Sequence, residues 1–298
     1  MASANVLPLD DALRATYTAC VGIDDELADL KTMAGINTAI TSVGTAAGIG
    51  ATVTGLVKAD KDKQIEKLEM VRLQKISESN INSGTNNGNM SDNLAALDTY
   101  YQNHKNDSYK DIDSEIEKLT KQSKNLGNWR TGLMAGSTAT NVTGAIIAGT
   151  NKVDGDLQTQ INNCISSVTT LRNSMMQARI NGEDVSEAET IASACGEYEY
   201  VDVSKINNRA KGAFVSSTVG AATGLAGTIT SATANSNKIR GAQGDAAQQK
   251  EKNLNTASNV LAGATTVASA TATVFNATQI SAIKKVAAVA EKCTGVLK

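Results

Sequence analysis

The chain has 298 residues with one proline and 3% aromatics, which favours long uninterrupted helices and argues against an aromatic core or a base-stacking platform. Its net charge is −2, and 28 basic and 30 acidic residues are scattered with no basic stripe, so nucleic acid is excluded as a partner. One histidine and four cysteines without a CxxC pair leave no donor set for a metal, and no cofactor motif is present.

From the N-terminus, Leu13, Tyr17, Cys20, Ile23, Leu27, Leu30 and Met33 recur at steps of three and four, which predicts a first helix after Pro8 with Asp10 as its cap. An uncharged segment follows at 35–57, rich in Thr, Gly and Ala, with a GxxxG step at Gly44 and Gly48. Charge returns at Lys58, and Ile65, Leu68, Val71 and Ile76 continue a helical stripe. The Asn/Gly/Ser stretch 79–93 predicts a surface loop. After it, 94–109 carries three tyrosines and His104.

Ile112, Ile116, Leu119, Ser123 and Leu126 step by four and three and lead into a second uncharged segment, 131–150, with GxxxG at Gly132 and Gly136. Leu157, Ile161, Cys164, Val168, Leu171 and Met175 form a second heptad arm, ended by Asn181-Gly182. A short helix is expected at 185–195, then an extended connector at 196–203. The third small-residue segment, 211–235, places GxxxG at Gly220 and Gly224. The fourth, 257–282, steps through Ala264, Ala268 and Ala272.

These segments form a weak internal repeat, clearest between Asn128-Trp129-Arg130 and Asn207-Asn208-Arg209. The pattern predicts an all-α, elongated helical bundle with coiled-coil-like arms and a Gly/Ala/Thr-rich close-packed core. In sequence order it divides into helical units at 1–78, 94–196 and 197–298, with the loop 79–93 between the first two.

The uncharged segments have the length of membrane spans, but their Thr, Ser and Asn content lowers the insertion energy of each. Glycine-rich hairpins beside long helices are similar in style to α-helical pore-forming toxins and type III translocators, and no motif or residue carries across. No catalytic constellation is present: His104 stands alone in a polar stretch, and no glycine run ends in Gly-Lys-Ser/Thr. The sequence therefore points to a non-catalytic structural or interaction protein that works through helix–helix assembly and self-association. Membrane insertion as a pore former or translocator is the alternative, with conditional membrane contact. Cys20, Cys164, Cys195 and Cys293 allow two disulfides in three pairings, and Ala2-Ser3-Ala4 resembles the end of a signal-peptidase site. Both hints favour a secreted, periplasmic or cell-surface protein over a cytoplasmic one.

Overall fold

A computed structural model of the protein describes residues 6–82, 110–236 and 245–298. The segment 94–109 with His104, and most of the 79–93 loop, lie outside the described residues. Among those described there is no strand, and the fold is all-α.

Helix α1 (Leu9–Cys20) starts at Pro8, whose ring suits a helix entry, and Asp10 lies in its first turn without capping it. The expected single first helix is two. The chain breaks at Val21-Gly22, where Gly22 takes φ +89°, a conformation that costs glycine nothing. Helix α2 (Ile23–Asn82) then runs through the first uncharged segment without interruption and reaches Asn82, inside the expected loop. Helix α3 (Lys110–Thr150) joins a heptad arm to the second uncharged segment. The Asp154 carboxylate caps α4 (Gly155–Ile180) by accepting from the Leu157 amide at 2.9 Å, and Gly182 with φ +79° closes it. After α5 (Ser186–Cys195), residues Gly196–Tyr200 form a 3₁₀ turn in place of the expected extended connector. Helices α6 (Ser204–Ala234) and α7 (Asp245–Leu297) carry the third and fourth segments.

The chain forms two compact units, Met1–Thr45 with Ser137–Ala222 and Thr265–Lys298, and Ala46–Gly136 with Thr223–Ala264. They cut across the sequence-order division, because each long helix contributes to both. The first unit holds a conventional apolar core. Leu27, Leu157, Ile161, Val168, Leu171, Ile206, Ile283 and Val286 are buried there together with all four cysteines. The cysteines are joined as Cys20–Cys164 and Cys195–Cys293. The second unit has a small apolar cluster of Ala51, Met134 and Ala262. It also buries Lys58, which pairs with the half-buried Asp62 at 2.6 Å and faces the half-buried Glu251 at 3.6 Å.

Candidate functional site

The four long helices share one burial rhythm. Across 123–148 of α3 the buried positions are Ser123, Gly127, Arg130, Met134, Ser137, Asn141, Gly144 and Ala148, alternating steps of four and three. Across 34–58 of α2 they are Ala34, Asn37, Thr41, Gly44, Gly48, Ala51, Gly55 and Lys58. Across 210–231 of α6 they are Ala210, Ala213, Ser217, Gly220, Gly224, Gly227 and Ser231, and across 258–276 of α7 Ser258, Ala262, Thr265, Ala268, Ser269, Ala272 and Asn276. This is the spacing of a helix-packing seam, filled with small and polar residues where leucine would be usual.

Several polar side chains on the seam find partners within each unit, while the Ser217 hydroxyl and the Asn37 and Asn141 Oδ1 atoms have none among the described residues. In the first, Asn37 donates to Asn276 Oδ1 at 3.0 Å, and Asn276 donates to the Thr41 hydroxyl at 3.3 Å. Asn141 donates to Ser269 Oγ at 2.7 Å, and the Ser137 hydroxyl donates to the Gly44 carbonyl at 2.9 Å. In the second, Ser258 donates to the Gly227 carbonyl at 3.2 Å, and the Thr131 and Ser231 hydroxyls are 2.9 Å apart. Glycines provide the room. A Cβ on Gly220 would stand 2.6 Å from Asn141 Oδ1, one on Gly144 3.2 Å from Asn37 Oδ1, and one on Gly127 2.5 Å from Asn235 Oδ1. Arg130, 1% exposed, has no carboxylate partner among the described residues, and burial lowers its pKa to about 10.

The outward faces are the reverse of this. Val43 and Ile49 on α2, Ile146 on α3, Val219 and Ile229 on α6, and Val260, Val267 and Val274 on α7 are all exposed, the last three by 61–67%. No charged residue occurs in 32–57, 131–151, 212–237 or 253–283. The exposed threonines on these faces satisfy their own hydroxyls. Thr143, Thr218, Thr233 and Thr271 each donate to the carbonyl four residues back. Windows within Leu9–Ile76 and Gln248–Leu297 reach mean hydropathies of 1.4 and 1.2, yet only 28% and 33% of them are buried. A soluble core helix would bury most of such a window.

Of the residues assigned to helix packing from sequence, Gly44, Gly48, Gly220, Gly224 and Ala268 are buried. Gly132, Gly136 and Ala264 are corrections: all three are exposed, and a Cβ on Gly132 or Gly136 would meet nothing within 4 Å. The seam passes instead through Arg130, Met134 and Ser137 in α3, and through Ala262 and Thr265 in α7. Sequence reasoning anticipated the small-residue core and missed its register. Its signal was the seven-residue spacing of Asn37, Gly44, Ala51 and Lys58, and of the matching series in the other helices.

The three sulfurs of Cys20, Cys195 and Cys293 lie within 4.8 Å of one another, which places the two bridges side by side. As disulfides they offer no thiolate to a metal. No known protein family, curated protein or solved structure matches the chain.

Proposed function

We propose that the protein is a non-catalytic helical protein whose four charge-free helical runs face lipid, with two disulfides in its first unit that suit a secreted or cell-envelope setting. The observation that carries this reading is the facing of the charge-free runs: their buried positions are mostly Gly, Ala, Ser, Thr and Asn, and residues such as Val43, Ile49, Ile146, Val219, Ile229, Val260, Val267 and Val274 are exposed. Water favours the opposite arrangement, because apolar surface is driven inside. Lipid tails supply no such drive, and helices in them associate through close packing of small residues and interhelical hydrogen bonds. Each run exceeds 20 residues, about 30 Å of helix or more, which matches a bilayer core. The threonine hydroxyls bonded to their own helix leave no donor for lipid to strand. Two disulfides fit an oxidising compartment.

Vesicle flotation combined with alkaline extraction tests this. The full chain is expected to float with phosphatidylcholine vesicles and to stay with them at high pH. A monodisperse protein that remains in the aqueous phase without detergent overturns the reading.

Self-association is a second reading, and the open face of α3 favours it. Gly132, Ala135, Gly136 and Ala139 present a small-residue surface with no neighbour against the two glycines. In lipid, such a surface admits a second helix at backbone distance. Crosslinking in mixed micelles is expected to give dimers that Gly136→Leu abolishes, and an unchanged monomer in both proteins removes this reading.

A further inference from the structure

We propose that a cleft in the first unit, between the 3₁₀ turn, α6 and α7, binds the phosphate of an anionic lipid headgroup. This rests on the lipid-facing reading above. The cleft has a volume of about 630 Å³ and is lined by Tyr200, Lys205, Arg209 and Lys285, with Val286 and Val289 as its apolar wall. Both acidic groups that line it are engaged. Asp202 pairs with Lys205 at 3.5 Å, and Glu197 pairs with Lys292. Arg209 and Lys285 have no carboxylate partner among the described residues, and Arg209 is held over the Phe275 ring at 6.0 Å. The cleft thus keeps two uncompensated cations in a chain whose net charge is negative.

Position selects the ligand. The charge-free run of α6 begins at residue 212 and that of α7 ends at 283, so Arg209 and Lys285 stand within one turn of the apolar faces. That is headgroup level for helices whose runs lie in the acyl region, where basic residues bind anionic lipid and arginine takes phosphate through two N–H groups. Tyr200, 85% exposed at the cleft, is an amphipathic ring of the kind enriched at this depth. Val286 and Val289 offer apolar contact for the glycerol and the first acyl carbons. Inorganic phosphate shares the charge but not this apolar wall.

The test compares the full oxidised chain with R209Q/K285Q and with K211Q/K284Q, which removes two exposed cations outside the cleft. Each is floated with phosphatidylcholine vesicles and with vesicles containing added phosphatidylglycerol, and lipid retained through detergent is read by native mass spectrometry. All three proteins are expected to float with both vesicles. Wild type and K211Q/K284Q are expected to retain phosphatidylglycerol, and R209Q/K285Q to lose about tenfold or more of it. The single variant K285Q, at an exposed position, is expected to show a smaller loss in the same direction. Equal retention by wild type and R209Q/K285Q overturns the cleft and leaves the lipid-facing reading standing. Failure of wild type to float with either vesicle overturns both. Displacement of phosphatidylglycerol by millimolar inorganic phosphate assigns the cleft to free phosphate and overturns the headgroup.

Discussion

Glycine has two different roles in this chain, and only its neighbours tell them apart. Gly220 faces the Asn141 amide at a distance that no side chain can share, and Gly132 faces open space. Gly220→Ala is expected to destabilise the first unit by about 1–3 kcal/mol, because a buried amide has to be displaced. Gly132→Ala is expected to be neutral or to stabilise by up to about 1 kcal/mol through helix propensity. Thermal unfolding of the two variants side by side checks this, and equal effects refute the packing account. Tyr198 raises a separate question at the same scale. Its ring is fully buried, and its hydroxyl has no hydrogen-bond partner among the described residues. Burial, and then the negative charge of Asp24, push its pKa well above the ordinary tyrosine value of about 10. The unfolded chain therefore loses this proton at lower pH than the folded chain does. The stability held below pH 10 falls as pH rises further, since the unfolded state then binds fewer protons. Tyr198→Phe is expected to keep or raise stability at neutral pH, because it deletes an unpaired polar atom, and to flatten the loss above pH 10. Denaturant midpoints across pH 8–11 for both proteins read this out.

At the scale of the helix, the elements and their small-residue core were legible in the sequence, and the register of that core was not. One proline, the uncharged runs and the Asn-Gly stop are local signals; they located α3 and α4 closely, while α6 starts seven residues before the expected 211 and α7 extends well beyond 257–282 at both ends. The facing of a helix is inferred from where its large apolar residues fall, and here that rule points outward. Val260, Val267 and Val274 recur every seven residues as a core stripe would, yet they lie on the exposed face. GxxxG failed for a related reason. A four-residue step marks the seam only where it coincides with a four-step of the seven-residue rhythm. Gly44–Gly48 and Gly220–Gly224 do coincide, whereas Gly132–Gly136 falls between Arg130 and Ser137. Position 22 was illegible as well, because a glycine with positive φ inside an otherwise continuous apolar stripe leaves no mark on periodicity. The valine stripe gives a direct measure of its surroundings. A lysine at Val267 is expected to be nearly neutral if that face meets water and to cost about 2.5–3.5 kcal/mol if it meets the middle of a bilayer. The lipid-facing reading expects Val267→Lys to reduce recovery in floated vesicles markedly while leaving helicity in detergent unchanged.

The molecule as a whole is stabilised by different means in its two units. The first carries all four cysteines and most of the large apolar core, and the second has neither. Cys20–Cys164 ties α1 to α4 across a sequence separation of 144, and Cys195–Cys293 ties the end of α5 to α7 across 98. Links over such separations restrict the unfolded chain strongly, and each is expected to contribute about 2–5 kcal/mol. Because every bridged residue belongs to the first unit, reduction should loosen that unit selectively. The helices α1, α4 and α5 pack against the long helices through the apolar core, where Leu157, Ile161, Val168 and Leu171 are buried with Leu27, Ile206, Ile283 and Val286, and the bridges lock that packing. The connections beside them are bonded too: the Gln160 amide donates to the Val21 carbonyl at the α1–α2 break, and Asn207 bonds the Val153 backbone ahead of α4. After treatment with a phosphine reductant and alkylation of all four thiols, amide exchange is expected to accelerate first across 9–20 and 155–195. Exchange in the seam of the second unit, around Met134 and Ala262, should stay near its oxidised rate, because both disulfides lie in the first unit. Uniform acceleration through both units would show that the bridges stabilise the seam as well, and that the apolar core and the polar seam unfold as one.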